Sequence, residues 1–208
     1  MGNCAGIEVK DVCKSFGTEQ VLKNISFCIP PGSIYGVVGN NGSGKTVLMK
    51  CICGFMKCDK GMILVNGRQV GKEVDFPDRL GVIIETPGFI PNLSGYKNLK
   101  ILAALKGRIG KTEIRETIEK VGLNPDMKKP VAKYSLGMRQ RLGIAQAIME
   151  DPDVLVLDEP FNGLDRYGVV EIRSLLKELK AAGKSILLAS HNAQDIEELC
   201  DHVLDLMI

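Results

Sequence analysis

Gly39-Asn40-Asn41-Gly42-Ser43-Gly44-Lys45-Thr46 is the stretch on which the reading of this chain turns. It matches G-x-x-x-x-G-K-[ST] at every fixed position. Glycines there let the backbone curl until several N–H groups face one point, which holds a phosphate. The helix expected next aims its positive end at the same anion. Lys45 then reaches the β- and γ-phosphates of a nucleotide. Thr46 offers its hydroxyl to Mg²⁺, an ion that keeps most of its octahedron as water and phosphate oxygen. The flanks agree with this reading. Ile34 to Val38 is a short apolar run entering the glycines, and Val47, Leu48, Cys51, Ile52 and Phe55 recur beyond it at helical spacing. Gly54 is placed to end that helix.

Working outward, strand-like and helix-like stretches alternate, which argues an α/β fold in one domain, 1–208. Ile7 to Val12 and Ile25 to Ile29 read as half-buried strands. Met62 to Val65 reads as a strand entering a tight turn at Asn66-Gly67. Leu80 to Ile84 is a further strand. From about 87 to 150 helical periods dominate, broken at Gly107 to Gly110 and at Asn124-Pro125, as in a helical subdomain inserted between two core strands. Val154 to Leu157 and Ser185 to Ala189 are buried strands on either side of a helix near Gly168 to Lys180.

The first of these two strands ends in Asp158-Glu159-Pro160. Carboxylates at the carboxyl end of an apolar strand stand where open α/β sheets bind ligands. Asp158 is placed to hold Mg²⁺ through water, and Glu159 to orient or deprotonate an attacking water. A charged strand end that caps the next helix is the other reading, and the upstream phosphate loop disfavours it.

Composition narrows the field. The formal charge is +2, with 45% apolar and 25% charged residues. So small a balance gives no electrostatic reason to expect nucleic acid as a partner. No apolar run approaches the roughly 20 residues that span a bilayer, so other chains must supply any spans. The seven cysteines fit no common zinc spacing and read as unpaired thiols in a reducing cytosol, Cys51 among them as a buried one. Met1-Gly2-Asn3-Cys4 hints at lipidation, but Gly6 stands where that pattern needs Ser or Thr, so an irregular start is expected.

Tyr134-Ser135-Leu136-Gly137-Met138-Arg139-Gln140-Arg141 separates this chain from other phosphate-loop proteins. Ser135 caps the helix from Met138 to Met149, and a helix start with a Ser hydroxyl and Gly backbone makes a second anion site. The stretch resembles the signature motif of ABC ATPases, usually L-S-G-G-Q, and stands 23 residues before Asp158 as that family's does. The resemblance runs from Ile7 to Ile208. It implies a P-loop NTPase core with an N-terminal antiparallel β subdomain and a helical insertion. It also implies ATP and Mg²⁺ as cofactors, and a head-to-tail pairing with a second copy or a related ATPase subunit. In that pairing Ser135, Leu136, Gly137 and Met138 face the partner's ATP. Transmembrane permease subunits, and a place on the cytoplasmic face of the membrane, follow from the same resemblance.

On the same footing, Phe16 stands where an aromatic residue stacks on adenine, although a core position is the other reading. Asn162-Gly163-Leu164-Asp165 resembles the loop that crosses the dimer interface. His191, 32 residues after Glu159, resembles the switch histidine that contacts the γ-phosphate. His202 matches no motif and reads as surface.

The departures are specific. Glu85 stands where the family has Gln, the residue linking Mg²⁺ and the attacking water to the membrane partner. A carboxylate there adds repulsion unless Mg²⁺ or a proton screens it. Val47 replaces a second hydroxyl residue after the loop, and Met138 replaces the signature Gln. Gly81 to Phe89, Pro91 to Ser94 and Ser135 to Met138 are similar to the subgroup serving bacitracin and lantibiotic resistance exporters. The expected function is therefore an export ATPase. A soluble ABC ATPase acting on nucleic acid or ribosomes, and a non-hydrolysing regulator, are the alternatives. The chain ends soon after His191, where many relatives continue, as a trimmed domain would.

Overall fold

Strands buried on both faces must be apolar at odd and even positions alike. Val154-Leu155-Val156-Leu157 meets that condition, and it forms the centre of the structure. The computed structural model describes residues 6–206, so Met1-Gly2-Asn3-Cys4 lies outside it. Chain order is β1 (Ile7–Phe16), β2 (Glu19–Ile29), β3 (Ser33–Val38), α1 (Lys45–Ile52), β4 (Lys60–Val65), β5 (Arg68–Gln69) and β6 (Leu80–Ile83). Then follow α2 (Gly95–Lys106), α3 (Lys111–Lys120), α4 (Leu136–Ile148), β7 (Val154–Asp158), α5 (Arg166–Ala181), β8 (Ser185–Ala189), α6 (Ala193–Leu199) and β9 (His202–Asp205).

Two sheets result. One is antiparallel, in the order β2-β1-β4-β5; the other is parallel, in the order β6-β7-β8-β3-β9. The alternation of side chains along the parallel strands builds two cores. Val154, Val156, Leu187, Ala189 and Val37 pack with α1 and the antiparallel sheet. Leu155, Leu157, Ile186, Leu188 and Ile34 pack with α2 to α5. Each apolar strand thus serves both layers.

Short polar side chains start the long helices. Ser94 accepts from Lys97 N, Ser135 from Met138 N at 3.1 Å, and Asp165 from Gly168 N at 2.8 Å. The cap at Ser135 is the one expected. Gly107 ends α2 at φ 65°, a left-handed conformation that suits glycine.

Three features depart from the expected pattern. β1 and β2 extend beyond the expected runs through Cys13 to Phe16 and Glu19 to Asn24, because a tight hairpin pairs mostly polar residues there (Ser15 with Gln20, and Glu19 with the aromatic Phe16). Register shifts between Val9 and Val12, with Asp11 at φ 50°, broke the alternation that would have revealed this. β9 is a four-residue strand, too short to show a period, that was not expected; it places the His202 ring 4.7 Å from Tyr35. Cys13, Cys51, Cys53, Cys58 and Cys200 are free, and Cys51 is buried as expected, but Cys28 is disulfide-bonded, so the thiols are not uniformly unpaired.

Gly81 lets α4 close on β6. A Cβ there would stand 2.1 Å from Ala147 O, a backbone atom, and 2.6 Å from Leu155 Cδ2. Gly81→Ala is therefore expected to lower stability by about 1–3 kcal/mol, read as a reduced urea midpoint with unchanged slope.

Candidate functional site

The loop Gly39 to Thr46 leaves the carboxyl end of β3 and enters α1 directly. Its turn depends on left-handed backbone at Gly42 (φ 85°) and Gly44 (φ 98°). At Gly44 a side chain would also stand 2.8 Å from Val21. Lys45 is 8% exposed, and its Nζ donates to Gly39 O at 2.6 Å and Asn40 O at 3.0 Å. Two loop carbonyls thus hold the ammonium beside the curled backbone. Thr46 Oγ1 donates to Asp158 Oδ2 at 2.9 Å, which ties α1 to the end of β7.

Glu159 follows at φ 49°, an unusual conformation for this residue type. Its N–H donates to Ala189 O at 3.0 Å, and its Oε1 lies 3.3 Å from His191 Nε2. That Oε1 is buried and makes no hydrogen bond, so the contact with His191 is close but poorly aligned. Burial pushes the Glu159 carboxyl above its ordinary range, with His191 pulling the other way. Ser43 Oγ is the other buried side-chain polar atom without a partner among the described residues. Both orphans sit in this site, and buried polar atoms normally have partners.

One cavity of about 780 Å³ gathers these groups. Phe16, Asn41, Gly42, Gly44, Lys45, Thr46, Val47, Glu85, Asp158, Glu159 and His191 all line it. Phe16 is 47% exposed, which removes the core reading of that residue. Gly39 and Asn40 line an adjoining cavity with His191. Of the signature residues, Leu136 reaches the rim, whereas Ser135, Gly137 and Met138 do not line the cavity. Thr46 and Asp158 fit a hard, oxygen-preferring ion. Among the described residues no group of three or more His, Cys, Asp or Glu side chains is arranged to hold a metal, so phosphate oxygens and water would complete any such shell.

Several contacts escaped sequence reasoning. Lys50 Nζ meets Glu85 Oε1 at 2.6 Å, so a lysine on α1 supplies the screening that sequence reading assigned to Mg²⁺ or a proton. No local spacing links residues 35 apart. Arg139, Gln140 and Asn162 also line the cavity. Behind His191, Ser190 Oγ donates to Asp195 Oδ2 at 2.7 Å, and Arg173 Nε donates to Asp195 Oδ1 at 3.0 Å. Asp195 is 1% exposed and Arg173 7%, an ion pair that braces the turn carrying His191.

Known proteins resemble this chain over nearly its whole length. The family described as ABC transporter matches residues 22–162. An uncharacterized ABC transporter ATP-binding protein, YybJ of Bacillus subtilis (strain 168), is 42% identical over 96% of this chain and 92% of its own length. The bacitracin transport ATP-binding protein BcrA of Enterococcus faecalis is 43% identical over 94% of this chain, which spans 64% of that protein. The lantibiotic transport ATP-binding protein SrtF of Streptococcus pyogenes is 37% identical over 95% of this chain and 85% of its own length. Among solved structures, an ATP-binding subunit of an ABC transporter superposes with TM-score 0.86 at 29% identity, over 97% of this chain and 85% of that one. The dimeric cassette MJ0796 bound to ADP and Pi shares the fold at TM-score 0.86 and 22% identity, over 97% of this chain and 94% of that one. The chain belongs to the ABC transporter family, as one of its ATP-binding subunits with the ATPase fold.

Proposed function

We propose that this chain hydrolyses ATP at the Gly39 to Thr46 site and that head-to-tail closure of two copies, or of this chain with a related subunit, powers an export complex. The observation that carries this reading is the buried, unpartnered Glu159 Oε1, 3.3 Å from His191 and on the same cavity as Lys45. Phe16 stacks on adenine. The loop from Gly39 to Ser43, with Gly44, wraps the phosphates, and Val47 leaves that grip without a second hydroxyl. Lys45 neutralises charge on the β- and γ-oxygens. Mg²⁺, held by Thr46 and Asp158 with Glu85 nearby, supplies further charge neutralisation when bound. Glu159 takes a proton from the attacking water, and His191 orients the γ-phosphate end. Ser135, Leu136, Gly137 and Met138 act on the partner's nucleotide.

No helix among the described residues is long and apolar enough to cross a membrane. Permease subunits therefore supply the path, contacting the stretch from Glu85 to Asn98 in the inserted helices (87–150), with this chain on the cytoplasmic face. The names of BcrA and SrtF support a peptide antibiotic or similar toxic compound as cargo.

The primary test is Mg²⁺-dependent ATPase activity of the parent against Lys45→Ala and Glu159→Gln. Loss of the base is expected to cut kcat by about 10²–10⁴-fold. Glu159→Gln is also expected to form a stable ATP-dependent dimer in size-exclusion chromatography. Hydrolysis by Glu159→Gln at the parental rate would remove Glu159 from the mechanism.

Stability carries a second signature. Because burial raises the Glu159 pKa in the folded state, the folded protein binds more protons than the unfolded one near that pKa. The contribution of Glu159 to stability is then present below the unfolded carboxylate pKa and lost as pH rises through the folded value. Glu159→Gln should raise the urea midpoint at pH 7, and the gain should shrink toward pH 4.

Glu85 is proposed to retune coupling. Its ion pair with Lys50 is exposed, with side chains 65% and 30% accessible, and contributes only about 0–1 kcal/mol. Glu85→Gln should leave thermal stability nearly unchanged while altering the Mg²⁺ dependence of ATPase activity. Identical Mg²⁺ titrations of the two proteins would remove that role.

A further inference from the structure

Gln140 is a polar residue on α4 that is only 7% exposed. Its Nε2 donates to the carbonyl oxygen of Glu159 at 3.1 Å. The same carbonyl accepts from Asn162 N at 3.2 Å, and the Glu159 N–H is held by Ala189 O. The backbone on both sides of the carboxylate is thus pinned, while Oε1 makes no hydrogen bond. The direction of that side chain is set by its backbone, which stands at φ 49°. Gln140 supplies the side-chain bond in that frame.

The helix bearing Gln140 begins at the signature. Ser135 is its N-cap, and Gln140 follows just over one turn later. A second contact joins the same parts. A Cβ on Gly163 would stand 2.4 Å from Leu136 Cγ, and one on Gly137 would stand 2.6 Å from Gly163 O. The segment from Glu159 to Gly163 therefore fits against the first turns of α4 at both of its ends. Packed elements of this kind shift together.

We propose that Gln140 is a positioning residue that links the signature turn to the catalytic carboxylate of the same chain. An anion seated on the N–H groups after Ser135 pulls on α4, and Gln140 carries that displacement to the peptide of Glu159. In a head-to-tail pair the anion belongs to the partner's nucleotide, so the two sites are coupled through each α4. This inference rests on the ATPase reading above.

The test compares the parent with Gln140→Met, which keeps length without a donor. Removing one neutral hydrogen bond that acts on the reacting arrangement predicts about a five- to tenfold loss of kcat. The KM for ATP should stay within about twofold, because the loss falls on turnover and not on binding. The Hill coefficient for ATP should fall toward unity. In a Glu159→Gln background, Gln140→Met should leave ATP-driven dimer formation intact. Gln140→Glu, the second variant, faces the carbonyl with a carboxylate and regains a donor when protonated. Its kcat relative to the parent should therefore rise as pH falls.

Unchanged kcat in Gln140→Met overturns the proposal. So does a kcat loss matched by lost dimer formation or a lowered thermal midpoint, since Gln140 would then only support the helix. Should Gln140→Met not fold, a pH-independent ratio for Gln140→Glu overturns it. A parent that neither hydrolyses ATP nor dimerises through Glu159→Gln would fail the ATPase reading itself, visible before any Gln140 variant is compared.

Discussion

The parallel register of β3, β8 and β7 is the constraint from which the site follows. Val37 pairs with Ala189, and Ala189 with Asp158, so these strands finish at one level of the sheet. Parallel strands place all their carboxyl ends on one edge. The phosphate loop, the acidic pair and the His191 turn therefore emerge side by side, although they are far apart in sequence. The bond from Thr46 to Asp158 and the one from Glu159 N to Ala189 O fix their spacing at atomic scale. A shift of one residue in β7 would exchange its two buried faces and carry the carboxylates out of reach. The apolar alternation that satisfies both cores is thus also what aims the chemistry.

The motifs were legible because each is local. Gly39 to Thr46 needs only a loop, and Ser135 needs only the next turn of helix to reveal a cap. Asp158 and Glu159 were legible from the strand they end. What stayed hidden depends on the tertiary fold. Lys50 and Glu85 meet at the end of α1 without any periodic relation, and Asp195 finds Arg173 only because α6 lies on α5. Phe16 was ambiguous for a related reason: an aromatic at a strand end is apolar by pattern, and only the hairpin Gly17-Thr18 decides that it projects beside the loop. The far end of the β1–β2 hairpin escaped because its pairing is carried by backbone while Lys14, Ser15, Glu19 and Gln20 are polar, and β9 because four residues are too few to show a period of two.

Local rules are broken where the chemistry concentrates. Among non-glycine residues at positive φ, Asn66 lies in a hairpin turn and Asp11 and Asn24 at strand irregularities, where short polar side chains tolerate that backbone. Arg79, Glu85 and Glu159 have no such excuse of type; the two glutamates line the cavity, whereas Arg79 does not and is held by its bonds to Asp151 and Asp153. Each such residue costs about 1–3 kcal/mol and persists only where its surroundings over-determine it. For Glu159 those surroundings are Ala189, Asn162 and Gln140; for Glu85 the ion pair with Lys50 is one part. Together with the orphaned atoms on Ser43 and Glu159, the two glutamates mark where folding and function pull apart. Apolar packing throughout the two cores offsets that cost, so a sheet with few compromises carries an edge that has several.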